Sequence, residues 1–268
     1  MIGELGPEQR DALKDFLLSR PETALALVHA LEADRGTFLG ARDAEGSLAG
    51  VALVEEDCLA YLVANDPRAA MELGRALRPW KVETLVAEAD WANRAWRAMT
   101  RTLPSLILHQ QVLSVTPQAL LALAEPAPIR LAHAEELPQL QALAHAMFWE
   151  EIGRPPATDR LNVHLQEEVE EGSVWVLERD GRVVFMARVA CRCSAGAEVQ
   201  RVYTVPNLRR RGIATAALGT LCRMLLAKLP RVVLRVSATN RKAQRLYRKL
   251  GFVLRGAVRL YTRPGGDR

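Results

Sequence analysis

The stretch VYTVPNLRRRGIATAAL, residues 202–218, is the most informative part of this sequence of 268 residues. A strand-like segment runs up to Pro206, three consecutive arginines follow, and Gly212 precedes an apolar run with helical spacing. A helix N-terminus presents unpaired backbone N–H groups and a partial positive charge, so it can bind an anion. Gly212 would let the backbone approach that anion without a side chain in the way. The stretch therefore predicts a strand, a basic loop and a helix that together bind a pyrophosphate.

Strand and helix patterns alternate on both sides of this loop. Apolar residues at helical spacing predict helices over about residues 135–149, 159–171, 212–228 and 240–250. The strand patterns are SVWVLERD, GRVVFMARVAC and AEVQRVYTV before the loop, and RVVLRVSA and VRLYTR after it. The pair Asp180-Gly181 predicts a tight hairpin turn between the first two strands. The second half of the chain is therefore expected to form a mixed α/β domain.

A second motif, SATNRKAQRLYRKLGF, follows the loop at residues 237–252. Residues 209–214, RRRGIA, match the R/Q-x-x-G-x-G/A signature of the GCN5-related N-acetyltransferase (GNAT) family, with alanine in the last position. The second motif resembles the family's next block, in which an asparagine, a tyrosine and a closing Gly-Phe stand in this order. The segments MFWEEIG and GRVVFMARV are similar to a subgroup with an extra N-terminal domain. The resemblance covers residues 129–268 and implies a GNAT-like acyl-CoA acyltransferase fold of mixed α+β class.

The first half shows a similar but weaker succession of elements. Helices are expected within residues 7–33 and 67–77, strands near TFLGA, LAGVALVEE, CLAYLVA and ETLVA, then another helix and a closing strand, LILHQQVLSV. Where the second half has its phosphate loop, the first has no glycine in residues 68–73. We therefore expect two tandem GNAT-like domains. They are a degenerate domain over residues 1–123 that binds no coenzyme A, a proline-containing linker over 124–130, and the acetyltransferase domain over 129–268.

The resemblance implies that the chain transfers an acetyl group from acetyl-CoA to a primary amine by direct attack in a ternary complex. The strand before the loop would pair its backbone with the pantetheine arm, the loop amides would bind the pyrophosphate, and arginine side chains would meet the 3′-phosphate. Asn240 would cap its helix and also touch pantetheine. The expected cofactor-binding residues are Val202, Tyr203, Thr204, Arg209, Arg210, Arg211, Gly212, Ile213, Ala214, Thr215 and Asn240.

Tyr247 is the candidate proton donor. In the family, the matching tyrosine lies near the thioester sulfur and can protonate the departing thiolate, which suits a phenol of ordinary pKa about 10. Its helical spacing with Ala243 and Leu250 also fits a simple core tyrosine. Glu150 and Glu151 end the domain's first predicted helix, where family members commonly build the acceptor pocket. They fit solvated helix-end charges equally well.

Glu198 is the candidate general base. It lies eleven residues before Arg209, the spacing at which some family members place this base. Strict alternation along the strand would put it on one face with Gln200, Val202 and Thr204. An amine acceptor with a pKa near 10.4 must lose a proton before it attacks, so a carboxylate is the expected helper. An exposed glutamate on a strand is the competing interpretation.

Charge is distributed unevenly along the chain. The net charge is +5, yet residues 201–268 hold 17 basic residues and one acidic residue, whereas the preceding residues hold 19 and 30. The basic end fits a phosphorylated cofactor. Nucleic acid is not expected as a partner, because few aromatic rings accompany the basic residues. The acidic remainder suggests a cationic acceptor, either a small-molecule amine or a protein amine.

Other features limit the remaining function classes. The four cysteines are scattered and show no zinc-ligand spacing, so no metal site is expected. Neither a signal sequence nor an apolar run of about 18 residues is visible, which favours a cytoplasmic protein without a membrane span. A monomer or a homodimer would fit. An alternative to catalysis is an acyl-CoA-binding sensor or interaction module without turnover.

Overall fold

Helices and strands form in nearly all the segments whose hydrophobic spacing predicts them. The computed structural model describes residues 2–121, 125–153 and 158–265. Its strands are β1 Ile2–Glu4, β2 Thr37–Arg42, β3 Leu48–Val54, β4 Leu59–Ala64, β5 Thr84–Glu88, β6 Leu106–Val115, β7 Arg130–Leu131, β8 Val174–Arg179, β9 Arg182–Cys193, β10 Gly196–Thr204, β11 Val232–Ser237 and β12 Val253–Thr262. Its α-helices are α1 Arg10–Leu18, α2 Leu25–Glu32, α3 Pro67–Ala76, α4 Ala89–Met99, α5 Leu137–Ile152, α6 Thr158–Glu170, α7 Ile213–Leu226 and α8 Arg241–Lys249. The mixed α+β class is confirmed.

The strands form one twelve-stranded sheet with a repeated plan. Its order is β1-β2-β3-β4-β5-β12-β6-β11-β10-β9-β8-β7. In the first half β2, β3 and β4 are antiparallel neighbours, and β4 then pairs with β5 in parallel. In the second half β8, β9 and β10 are antiparallel, and β10 pairs with β11 in parallel. The same succession of pairings occurs twice, as expected for a tandem of two similar units.

Each half of the chain contributes its last strand to the other half of the sheet. The strand β6 is expected from the sequence to close the first half, but it pairs antiparallel with β11 of the second half. In turn, β12 pairs antiparallel with β5 of the first half. The two exchanged strands also pair with each other, from Val253↔Ser114 to Thr262↔Leu106. The sheet of each half is therefore completed by a strand from the other half.

Helices cover both faces of the sheet. The successive residues Val233 and Leu234 of β11 belong to different apolar clusters, one with α2 and one with α7, so these helices lie on opposite faces. Helices α5 and α6 pack over β8 and β9 on the face of Tyr203 and Met186. Helix α2 contacts β9 and β10 although it comes from the first half. The junction between the halves is thus part of the protein core.

Candidate functional site

The strands β10 and β11 separate in the second half of the sheet. Their parallel pairing runs only from Ala197↔Val232 to Val199↔Leu234, although both strands continue beyond it. On its other side β10 stays paired with β9 up to Thr204. Within the described chain, residues 200–204 therefore present a backbone edge that pairs with no strand. Such an edge can bind an extended ligand through main-chain hydrogen bonds.

A β-bulge changes the direction of the side chains along this free edge. Between Gln200 and Tyr203 the chain advances three residues on β10 and two on β9, and Arg201 adopts a left-handed φ of 51°. After the bulge, Val202 packs in the α7 cluster, whereas Tyr203 packs in the α5–α6 cluster. The expectation that Glu198 shares a face with Val202 and Thr204 is therefore wrong, because the bulge inverts the alternation.

The loop after β10 leads into a helix whose N-terminus is open. Arg210 and Gly212 have φ values of 63° and 79°, and α7 begins at Ile213. No side chain of the described residues caps this helix, and Ala216 N–H donates to Gly212 O, so the preceding N–H groups of the helix have no acceptor within it. A Cβ atom placed at Gly212 would meet nothing within 4 Å. The turn therefore has both the donors and the room for an anionic group.

The corresponding place in the first half is closed by the protein itself. Asp66 caps α3, and its Oδ1 accepts hydrogen bonds from two backbone N–H groups at 2.8 and 2.9 Å. Where β4 ends, Glu88 Oε2 accepts from Ala64 N–H at 3.2 Å, and Trp91 Nε1 donates to Ala64 O at 2.9 Å. A carboxylate thus caps the helix that corresponds to α7, and side chains contact the end of β4. The absence of coenzyme A binding by the first half stays a prediction, with which these contacts agree.

Arg209 ties the loop to the end of α5. Its two terminal nitrogens donate to the carboxylate of Glu150 at 2.8 and 3.0 Å, and its Nε donates to Thr204 O at 2.9 Å. Tyr203 OH also donates to Glu150, at 2.8 Å, and the guanidinium lies 4.9 Å from the Tyr203 ring centroid. The hydrogen bond from Arg209 is the main reason why the pKa of Glu150 is lowered. The side chain of Arg209 is therefore engaged within the protein.

The other two arginines of the loop differ from Arg209. Arg210 and Arg211 are exposed, and no ion pair holds either side chain among the described residues. The expectation that arginine side chains of the loop meet a phosphate thus fits these two positions. At Arg209 it stays a prediction, and the guanidinium there is paired with Glu150.

Glu198 lies in a buried ion pair at the junction of the halves. Only 3% of the residue is exposed, and its Oε1 accepts from Arg235 Nε at 2.6 Å and from Gln200 Nε2 at 2.8 Å. Desolvation is the largest single effect and lowers the pKa of Arg235, but the charge and hydrogen bond of Glu198, together with Tyr61 and Cys191, outweigh it and the pKa is raised. Both side chains line a small cavity together with Tyr61 and Glu88 of the first half. The competing interpretation of an exposed strand glutamate is wrong.

Tyr247 is buried, and α8 holds it near the end of α5. The residue is 6% exposed and its ring centroid lies 5.9 Å from that of Phe252. Desolvation raises the pKa of Tyr247, and the carboxylate of Glu151 adds to this effect. Partial desolvation also raises the pKa of Glu151, although part of that residue reaches solvent. Asn240 is a helix N-cap as expected, because its side chain accepts from Ala243 N–H at 3.1 Å.

The structure brings together residues that the sequence analysis did not single out. Arg235 and Gln200 hold Glu198, while Arg201 marks the bulge. A signal for Arg235 exists, because a charged residue inside the apolar strand RVVLRVSA is rarely buried without a partner. The partner itself lies 37 positions away in the chain and cannot be read from local pattern.

The described residues contain neither a membrane-spanning helix nor a cluster of metal ligands. None of their helices is long and apolar enough to cross a membrane. No group of three or more His, Cys, Asp or Glu residues among them is arranged to hold a metal ion.

Comparisons with known proteins agree with this geometry. Residues 170–254 match the family model of the acetyltransferase (GNAT) domain. None of the curated proteins compared with the chain is similar to it in sequence. Similar solved structures include a GCN5-related N-acetyltransferase from Sphaerobacter thermophilus, which is 18% identical with a TM-score of 0.62 over 99% of this chain and 96% of that one.

Two further structures resemble the chain over almost its full length. A Drosophila protein is 16% identical with a TM-score of 0.68, covering 98% of each chain. A tandem GNAT protein from the clavulanic acid biosynthesis pathway is 13% identical with a TM-score of 0.56, covering 98% of this chain and 97% of that one. Identities this low show a common fold. Residues 170–254 therefore match a GNAT acetyltransferase domain, and nearly the whole chain shares its fold with tandem GNAT structures.

Proposed function

We propose that this protein is an N-acetyltransferase that uses acetyl-CoA to acetylate a primary amine. The observation that carries the proposal is the gap between β10 and β11 beside the uncapped N-terminus of α7. A free strand edge suits an extended amide-containing arm, and an open helix N-terminus suits a pyrophosphate. The first half of the chain lacks both features, because Asp66 and Glu88 occupy the corresponding places.

The residues of the second half fit the parts of coenzyme A. The backbone of Val202, Tyr203 and Thr204 would pair with pantetheine, and Asn240 would touch it from the start of α8. The N–H groups of Ile213, Ala214 and Thr215, together with the open turn at Gly212, would bind the pyrophosphate. The exposed Arg210 and Arg211 would meet the 3′-phosphate. When bound, acetyl-CoA supplies a thioester whose carbonyl carbon an amine can attack.

Two side chains would move protons in this reaction. An alkylammonium group has an ordinary pKa of about 10.4 and must be deprotonated before attack. We assign Glu198 as the acceptor of that proton, with its orientation fixed by Arg235 and Gln200. Tyr247 keeps its proton at neutral pH, since the ordinary pKa of a phenol is about 10 and burial raises it further, so it can protonate the sulfur of the leaving group.

The end of α5 would form one wall of the acceptor pocket. Glu150 is fixed there by Arg209 and Tyr203, while Glu151 lies toward Tyr247 and pairs with no cation among the described residues. A small-molecule amine or the amine of a protein would approach along this wall. Neutralisation of Glu150 by Arg209 leaves Glu151 as the carboxylate available to the acceptor.

Calorimetric titration with acetyl-CoA tests the donor site through two variants of Gly212. Gly212→Asp places a carboxylate where the pyrophosphate is proposed to lie, and Gly212→Asn is its matched control, because Asn has nearly the same size and also tolerates a left-handed backbone. We expect binding by the wild-type protein and by the Asn variant. The Asp variant should bind about tenfold or more weakly than the Asn variant, since like charges a few ångströms apart repel by about 1–3 kcal/mol.

Turnover is then measured as release of the coenzyme A thiol in the presence of a panel of amines. Absence of binding by the wild-type protein would refute the proposal at its first step. Equal binding by the two variants would show that the anion lies elsewhere.

A binding module without turnover is the second candidate. The buried pairing of Glu198 with Arg235 favours it, because a carboxylate already held by a cation is a restricted base. Tight acetyl-CoA binding without release of thiol in the presence of any amine would identify the protein as a sensor of this kind. Release of thiol that depends on an added amine would exclude it.

A further inference from the structure

A second small cavity lies beside the β10 bulge, under α6 and next to the proposed donor site. Three of its lining residues are charged and the others are mainly apolar. The apolar wall includes Leu165, Val174 and Met186, and the charged residues are Glu168, Arg188 and Arg201. There is room only for a group near the size of a water molecule, such as part of a carboxylate.

The charges around this cavity do not balance. Glu168 is buried and is the one acidic residue in the lining that the structure describes, whereas Arg188 and Arg201 are two cations with side chains only 24% and 19% exposed. Arg188 Nε lies 3.1 Å from Glu168 Oε1, and Arg201 pairs with Glu168 Oε2. Burial lowers the pKa of Arg201, and the charge of Arg188 adds to this effect while Glu168 opposes it. One carboxylate cannot neutralise both guanidinium groups, so the site holds an excess positive charge.

One donor in the cluster is also unsatisfied. The Nε atom of Arg188 is fully buried, yet it makes no hydrogen bond with any described residue, because its N–H does not point at Glu168 despite the short distance. A buried donor without an acceptor costs about 1–3 kcal/mol. An anion in the cavity would supply the missing acceptor and balance the charge.

The position of the cavity relates it to the proposed chemistry. Arg188 pairs in register with Gln200, and Arg201 is the bulge residue that follows Gln200. Gln200 in turn donates to Glu198, the proposed proton acceptor. Gln200 is also the first residue of the free β10 edge. One row of polar side chains thus connects the proposed proton acceptor to the cationic cavity.

We propose that this cavity binds the carboxylate of the acceptor, so that the substrate is an amine that also carries a carboxylate, as an amino acid does. The inference rests on the proposed transferase function and names its substrate class. The amine lies toward Glu198 while the carboxylate accepts hydrogen bonds from Arg188 and Arg201. Two guanidinium groups recognise a carboxylate by charge and by paired N–H donors, which a neutral carboxamide cannot match.

The test compares each amino acid with its own carboxamide and its decarboxylated amine, using the full chain and acetyl-CoA. We expect kcat/KM for the best amino acid to exceed that of its carboxamide by about tenfold or more, mainly through KM. Arg188→Gln should bring this ratio close to one, because turnover of the amino acid falls more than turnover of its carboxamide. Arg182→Gln, an exposed position on the same strand, is the matched control and should leave the ratio as in the wild type.

Folding and anion binding are followed separately from turnover. Arg188→Lys keeps the charge next to Glu168 and is used instead if Arg188→Gln does not fold. It should reduce the ratio of kcat/KM between amino acid and carboxamide by a smaller factor. Acetate, used alone as a probe, should raise the Tm of the wild type and of Arg182→Gln, but not that of Arg188→Gln or Arg188→Lys to the same extent.

The outcomes separate this inference from the proposed function. Equal turnover of amino acids and their carboxamides would overturn the inference while the transferase function stands. An acetate effect that depends on Arg188, without any turnover, would support the anion site and count against the transferase function. The absence of any acetate effect, together with equal turnover, would show that the two arginines serve only to hold Glu168.

Discussion

The exchange of β6 and β12 predicts that residues 125–268 do not fold by themselves. This fragment lacks β6, which in the full chain pairs with both β11 and β12. It also lacks β5, the other neighbour of β12. The central edge of β11 would be open and β12 would have no partner at all. A sequence-based boundary at the linker would nevertheless select this fragment as the complete acetyltransferase domain.

The expected loss of stability is as large as the stability of a whole domain. Val112, Leu113 and Val115 of β6 are buried, and the last two belong to the cluster packed against α7. Burial of each such side chain stabilises by about 1.5–3 kcal/mol, so the three together contribute about 5–9 kcal/mol. Val258 and Tyr261 of β12, which are buried in the full chain, would also become exposed to solvent. Single domains are stable by only about 5–15 kcal/mol, so little or no net stability is left.

A matched pair of fragments makes this prediction measurable. Residues 104–268 retain β6 and restore the order β12-β6-β11, so this fragment should show a cooperative urea unfolding transition and dispersed amide resonances. Residues 125–268 should show neither. Cooperative unfolding of the shorter fragment, with a free energy within about 1 kcal/mol of that of the longer one, would refute the reasoning.

Three further predictions concern single residues. Tyr247→Phe should lower kcat about 100-fold and leave the Kd for acetyl-CoA nearly unchanged, since it removes the proton donor alone; unchanged kcat in steady-state assays would exclude this role. Glu150 has a lowered pKa in the folded protein, so its stabilisation is present above its ordinary pKa of 4.5 and is lost as the pH falls through the lower value. Glu150→Gln should therefore lower the free energy of unfolding in urea by up to about 1 kcal/mol at pH 7 and by progressively less below pH 4.5. The same loss at every pH would contradict the ion pair. Asp66→Ala should lower the free energy of unfolding by about 1 kcal/mol through loss of the α3 cap, and calorimetry should show no new acetyl-CoA site, because Glu88 and Trp91 still fill the place beside β4.

Features with a local physical cause were predictable from the sequence. The Asp180-Gly181 hairpin forms with both residues at positive φ, as the turn requires. The loop before α7 needs a left-handed residue, and Gly212 supplies it. Asn240 caps α8 through its own side chain. In each case the residues that decide the geometry lie within a few positions of one another.

Features that depend on distant residues were not predictable. The alternating pattern of LILHQQVLSV shows that β6 is a strand, but not that its neighbours are β11 and β12. The bulge at Arg201 inverts the alternation of β10 without any glycine to signal it. The pairing of Glu198 with Arg235 joins two strands separated by a whole helix. The domain boundary at residues 124–130 remains a prediction from the sequence, because strands from both sides of it belong to one sheet.

The place of β12 in the sheet has a consequence for the order of events during synthesis. Residues 253–262 follow every other described strand in the chain, yet they lie between β5 and β6. A growing chain that has reached β11 still carries open edges on β5 and β6, and unpaired edges of this kind favour aggregation. Tyr261 also stacks on Trp96 of the first half with ring centroids 5.3 Å apart. A premature stop codon within β12 would therefore damage the half of the protein that the ribosome completes first.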